Sequence, residues 1–325
     1  MAASAKPEIS VVVATYNRGR HIRALIDGLR AQTLERGRFE VLIVDDGSTD
    51  ETPAVLGREL GRGGIEMRVI RRERNGGLAV SRQQGWTEAR ADLLAFTDDD
   101  CVPAPEWLAA GLAACAREPG VIVQGRTDPR ASDLEEIGAV RRPFTRTLSI
   151  PAPDPHVQTC NVFYPREVLE RVGGLDTEGF ARLAGDDADL AWRSIEAGAR
   201  VSFAPEARVE HAYMMLGPLG KLRYAAGWNL KVYALHPGLR RAYFKRSVFW
   251  KGSHYFLVRA LVAALLPRRW RMVKAWLAVP YSVHLLERGR VEGGGPLLAP
   301  YYFLHDLIEL GAAVRSTIRY RTPML

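Results

Sequence analysis

The chain has 325 residues, 47% hydrophobic and 25% charged, which fits one large globular domain or two and excludes fibrous and disordered classes. Its net charge of +8 is unevenly spread: residues 213–325 carry 18 Lys+Arg against 4 Asp+Glu, and residues 1–212 carry 27 against 33. An acidic front and a basic back, which also holds 17 of the 28 aromatics, point to two regions with different partners.

Ile9 to Thr15 is an apolar run of the kind that forms a strand buried on both faces. Tyr16-Asn17-Arg18-Gly19 breaks it, and a helical period follows over 21–34. Val41 to Val44 reads as a second strand, ending at Asp45-Asp46-Gly47-Ser48, with a helix over 52–60 and a third strand over 67–70. Gly77 to Ala91 is helical, and Leu93 to Phe96 is a fourth strand that runs into Asp98-Asp99-Asp100. A helix over 105–117 and a strand over 121–123 come next. Residues 132–156, rich in proline and arginine, read as a loop over the site. A strand over 161–164, a helix over 165–172 closed by Gly173-Gly174, a helix over 186–197 and a strand over 201–204 complete the pattern, with helices beyond 213. This alternation predicts an α/β fold with a parallel sheet covered on both faces.

In such sheets ligands sit at the carboxyl ends of the strands, where three polar clusters fall: Thr15-Tyr16-Asn17, Asp45-Asp46 and Asp98-Asp99-Asp100. Consecutive acids repel and cost stability unless a cation relieves them. The sharp reading of 98–100 is a divalent-cation site of hard oxygen donors; the bland one is a solvated acidic turn. Asp50 is a plausible helix cap, but a cap leaves Asp45 and Asp46 unexplained. Asp186, Asp187 and Asp189 open a helix, where acids complement the macrodipole, or one of them serves as a general base. Trp192 stacks on a sugar or packs in the core; Cys101 and Cys160 read as packing residues, and a reducing compartment fits the three cysteines.

The segments VVVATYNR, VDDGSTD, RNGGLAVSRQQGW, AFTDDDCVP, CNVFYPREVLERVGGLD, GDDADLAWR and VEHAYM together resemble a family 2 glycosyltransferase over roughly residues 8–235. The resemblance implies a GT-A fold, a mostly parallel Rossmann-like sheet flanked by helices, with a C-terminal helical extension. It implies residues 1–235 as the catalytic domain and 236–325 as the extension. It also implies an inverting transferase using a nucleotide-diphosphate sugar, a divalent metal (Mg²⁺ or Mn²⁺) and a carbohydrate or lipid-linked acceptor. On this match Thr15, Tyr16, Asn17, Asp46, Arg82, Asp98 and Asp99 face the donor. Asp98 and Asp100 hold the metal with His211, and Asp187 is the base. Two positions depart from the family pattern: Ser81-Arg82-Gln83-Gln84-Gly85 replaces Ala-Arg-Asn-x-Gly, and Asp186-Asp187 replaces Glu-Asp. A noncatalytic sugar-nucleotide or membrane-surface module is the alternative from another class, and a nucleotidyltransferase is disfavoured by Tyr16-Asn17-Arg18 where a glycine-rich basic loop would stand.

In the segment 268–279, Arg268, Arg271 and Lys274 share one helical face, and Trp270, Val273 and Leu277 another. That pattern fits a helix at an anionic membrane surface, or packing on the catalytic domain or on a second subunit in a homodimer. Nucleic acid is not an expected partner, because long apolar stretches separate the basic residues. No run of about 18 apolar residues is present, and the N-terminus lacks the apolar stretch of a secretory signal. The expected location is cytoplasmic, peripheral on the inner face of the membrane.

Overall fold

A computed structural model describes residues 6–181, 183–246 and 248–325, so the reading of the first five residues lies outside it. The contacts divide the chain into two compact units, residues 1–130 with 147–212, and residues 131–146 with 213–325. The break falls at 212/213, where the charge changes sign, and not at 235. The inserted stretch 131–146 carries three basic and three acidic residues, so the second unit keeps its +14.

In the first unit, β1 (Ile9–Thr15) and β2 (Phe39–Asp45) are buried at every residue. That is why their apolar runs are continuous rather than alternating. Helix α1 (Gly19–Arg30) buries Ile22, Leu25, Ile26 and Leu29 at helical spacing. Helix α2 (Thr52–Arg62) leads to β3 (Met67–Arg71), α3 (Leu78–Glu88) to β4 (Leu93–Thr97), and the short β5 (Cys101–Pro103) to α4 (Trp107–Arg117). Then come β6 (Ile122–Pro129), β8 (Asn161–Pro165), α6 (Arg166–Val172), α7 (Asp186–Glu196) and β9 (Val201–His211), with α5 (Ala131–Arg141) and β7 (Thr145–Arg146) lying in the second unit. Helix α6 stops as expected: Gly173 is left-handed (φ 75°), and the Gly173 and Gly174 N–H groups donate to Glu170 and Leu169 carbonyls.

The sheet order is β3-β2-β1-β4-β8-β6-β9-β5. Pairing is parallel from β3 to β4 and again between β6 and β9. Strand β8 runs antiparallel to both neighbours, and β5 antiparallel to β9. The sheet is thus mixed α/β and mostly parallel, with two antiparallel insertions absent from the sequence reading. The sequence shows β8 as a strand over 161–164 without a direction, β5 is too short at three residues to show a period, and Pro205 interrupts the apolar run of its partner β9 after four residues.

The second unit is helical. Residues 131–146, expected as loop, form α5, interrupted at left-handed Gly138 (φ 69°), and β7, which pairs with β10 (Met214–Met215). Helices α8 (Gly217–Ala226), α9 (Lys231–Leu235), α10 (Pro237–Tyr243), α11 (Gly252–Leu265), α12 (Arg271–Val291) and α13 (Ala299–Tyr320) follow. Leu257, Tyr281 and Leu310 form a small core where the last three meet. Among the described residues no helix is long and apolar enough to cross a membrane.

Candidate active site

The parallel strands end where the sequence placed its polar clusters. Asn17, left-handed at φ 54°, accepts hydrogen bonds from the Thr49 and Asp50 N–H groups, and its own N–H donates to Ser48 Oγ at 2.9 Å. It therefore ties the loop after β1 to the loop after β2, with Tyr16 exposed beside it. Asp50 accepts from the Thr52 N–H at 2.9 Å, as a capping acid does. Asp46 accepts from the Gly76 and Gly77 N–H groups at 2.9 and 2.8 Å, with Arg72 also at 2.9 Å. Its carboxylate thus fixes the turn before α3. Gly77 is left-handed there (φ 98°), and a Cβ would lie 1.7 Å from the Ala181 carbonyl.

The acidic run after β4 faces three surroundings. Asp98 accepts from Arg82 Nη2 at 2.7 Å. Asp99 is buried, and burial with the charge of Asp100 pushes its carboxyl up to about 7, against the pull of Thr15 and Arg18. Asp100 meets His211 across the β5–β9 pairing, which sets Cys101 opposite His211. His211 Nδ1 lies 2.8 Å from the Ala212 carbonyl, which only accepts, so Nδ1 carries the proton. Its Nε2 lies 3.5 Å from Asp100 Oδ1. An imidazole nitrogen and a carboxylate oxygen are both donor types a divalent cation takes, and a bond from the other ring nitrogen to a backbone carbonyl is the usual setting of a ligating histidine. Asp100, Cys101 and His211 offer donor atoms within 4.8 Å of one another; Asp98 is not in that group, being held by Arg82. Burial pushes the Cys101 thiol well up, so it stays protonated and serves as packing.

Arg82, on α3, binds Asp98 with one nitrogen and Asp186 at 2.8 Å with the other. Burial opposes its charge, but Asp186, Asp98 and Asp187 together raise its pKa above the ordinary arginine value. The guanidinium thereby brings the loop after β4 to the first turn of α7. Asp187 stands beside it, half-buried, with Oδ1 accepting the Ala188 N–H at 2.8 Å. Burial, then the charge of Asp186, pushes its carboxyl up to about 6, against Arg82 and His156. Asp189 instead pairs with Arg193 at 2.8 Å, and Trp192 Nε1 donates to the Pro155 carbonyl at 2.8 Å, as packing residues do.

Three participants had no sequence signal. Thr147 Oγ1 lies 3.2 Å from His211 Nδ1 and donates to the His211 carbonyl at 3.0 Å. His156 pairs with Asp154 at 2.7 Å and acts electrostatically on Asp187. Both histidine neighbours lie in the stretch 147–156, which has no periodicity to mark them.

The mostly parallel α/β sheet flanked by helices, with its polar loops at the strand ends, is a GT-A fold. The chain belongs to glycosyl transferase family 2, whose model matches residues 10–173. It is 25% identical over 227 residues to glycosyltransferase AglE of Haloferax volcanii, covering 69% of this chain and 73% of that one. Validoxylamine A glucosyltransferase of Streptomyces hygroscopicus subsp. jinggangensis is 33% identical over 222 residues, 59% of this chain and 52% of the relative. Among solved structures, mannosyltransferase PcManGT from Pyrobaculum calidifontis, in complex with GDP-Man and Mn²⁺, superposes with TM-score 0.59 at 21% identity, covering 96% and 87% of the two chains. S. aureus TarS 1-349 in complex with UDP-GlcNAc gives 0.54 at 17% identity, covering 97% and 92%. These likenesses establish the fold, and the family establishes a glycosyltransferase.

Proposed function

We propose that the enzyme transfers a sugar from a nucleotide-diphosphate donor to an acceptor hydroxyl by one displacement that inverts the anomeric centre. The acceptor oxygen forms its bond to the anomeric carbon as the bond to the diphosphate oxygen breaks. Asp187 takes the hydroxyl proton. The observation that carries this reading is the Asp187 carboxyl in the first turn of α7, which Arg82 ties through Asp186 to the acidic run after β4. Asp100 and His211, joined by Asp98 once it exchanges Arg82 for the ion, would hold Mg²⁺ or Mn²⁺, and such a cation would supply neutralisation for the leaving diphosphate. Thr15, Tyr16, Asn17, Asp46 and Asp99 shape the nucleotide side. Asp187→Asn keeps the shape and removes the basicity, so transfer should fall about 10²–10⁴-fold with donor affinity nearly unchanged. If Asp186→Asn is the inactive variant and Asp187→Asn turns over normally, the base is assigned one residue too far. Asp100→Ala should abolish metal-stimulated binding of the nucleoside diphosphate; tight binding that EDTA leaves intact would sink the metal assignment.

The same reading gives the enzyme a glycan or lipid-linked acceptor and sets its helical unit on the cytoplasmic face of an anionic membrane. Supporting it, Met272, Trp276, Val279, Val283 and Leu286 follow one another at helical spacing along α12 and are all exposed, Trp276 at 69%. Arg268, Arg269 and Arg271 lie at the N-terminal end of that stripe. The stripe differs from the expected one: Arg268 and Trp270 sit in a 3₁₀ turn ahead of the helix, and Leu277 is half-buried. Trp250, ahead of that helix, is buried and so is no part of the exposed stripe.

A further inference from the structure

We propose that the helical unit holds a second divalent-metal site, built by His305, Asp306 and Glu309 of α13 with His254 of α11. His305 and Glu309 are four apart and share one helix face. His305 Nδ1, a carboxylate oxygen of Asp306 and one of Glu309 all lie within 4.8 Å of one another, and all three residues are buried. His305 Nδ1 stands 3.7 Å from Asp306 Oδ1 and 3.6 Å from Glu309 Oε2, and His254 Nε2 stands 3.8 Å from Glu309 Oε2. These separations are too long for hydrogen bonds. They are close to the edge, about 3.4 Å, of a tetrahedron with ligands at ~2.1 Å from a metal.

The histidines are the second observation. His254 is fully buried, and neither ring nitrogen has a hydrogen-bond partner; His305 Nδ1 is also buried without one. A buried imidazole left this way loses its hydration and gains nothing in return, so the arrangement calls for a group that both nitrogens can serve. A mixed set of two imidazoles and two carboxylates suits a borderline transition metal such as Zn²⁺ better than Mg²⁺.

The carboxylates are already supported from behind. Lys251 Nζ sits at 2.7 and 2.8 Å from the two Glu309 oxygens, Arg288 donates to Asp306 Oδ1 at 2.6 Å, and the Tyr281 hydroxyl donates to Asp306 Oδ2 at 3.1 Å. Each carboxylate oxygen has a second lone pair, and ligating carboxylates are commonly hydrogen-bonded in this way. A cavity of about 370 Å³ lined by Lys251, His284, Arg288, Asp306 and Glu309 gives an ion a way in.

Full-length protein stripped with EDTA and titrated with Co²⁺ tests the proposal, because visible absorption reports imidazole and carboxylate ligation and equilibrium dialysis counts the ions. His305→Ala and Glu309→Gln should each remove one equivalent of Co²⁺ and its band, while Asp100→Ala leaves that equivalent in place. Circular dichroism verifies that each variant is folded, and the near-isosteric Glu309→Gln reads the ligand loss even where His305→Ala disturbs the helix. Retention of the full count by a folded Glu309→Gln overturns the proposal. So does a wild-type protein whose every bound ion disappears in Asp100→Ala.

Discussion

Asp187 titrates near 6 because burial and the charge of Asp186 outweigh the attraction of Arg82 and His156. Transfer should therefore fall as pH drops through about 6, on the acid limb of the pH–rate profile. His156→Gln removes one attraction and should move that limb to higher pH; a limb that stays put would detach His156 from the base. The same shift has a stability sign. The folded pKa lies above the unfolded value of 3.8, so the native state binds the proton more tightly. This group's contribution to stability is full below 3.8 and is lost as pH rises through about 6. Asp187→Asn should be more thermostable than the parent at pH 8, with the gap closing by pH 4; thermal melts at the two pH values check it. An inactive variant that is more stable is what a functional site held in an unfavourable environment produces. Asp45, Asp46 and the 98–100 run stood out in the sequence because they follow apolar strands, and Asp186 and Asp187 because they open a helix. Arg82's bond to Asp186 was not, since the two are 104 residues apart and nothing local couples them.

At the scale of elements, burial on both faces made β1, β2 and β4 legible as unbroken apolar runs, and spacing made α1 legible. The β5–β9 pairing, which delivers His211 to Asp100, was invisible because three residues show no period. Helix α4 packs so closely on β8 that a Cβ on Gly111 would lie 2.1 Å from the Phe163 ring. Gly111→Ala should destabilise by about 1–3 kcal/mol through overpacking, read as a lower urea midpoint with an unchanged slope. On α12, Trp276→Ser in the full chain should weaken binding to anionic vesicles without affecting donor binding. Unchanged flotation together with loss of a dimer in solution would turn the exposed stripe into a contact between copies.

Across the whole molecule, charge and fold divide at the same point: the first unit carries −6 and the second +14. Vesicle binding by the second should weaken with salt, as screening shortens to about 3 Å at 1 M, and sedimentation with phosphatidylserine vesicles at 0.1 and 1 M NaCl measures it. The division was legible as composition, whereas the inserted stretch 131–146 was not, because its neutral charge marks no boundary. That insertion has a consequence for how the protein is made. The chain leaves the first unit after Arg130, returns at Thr147 and leaves again after Ala212. Strand β7 pairs with β10, which is synthesised only after the whole of β9. At ~5–20 residues per second the ribosome needs about 3–14 s to reach it. For those seconds residues 131–146 hang from a first unit still gaining β8, α6, α7 and β9, with no strand to pair with. A ribosome stalled just after Ala212 should leave this stretch open to protease and to chaperones, and one stalled beyond Met215 and clear of the exit tunnel should begin to close it.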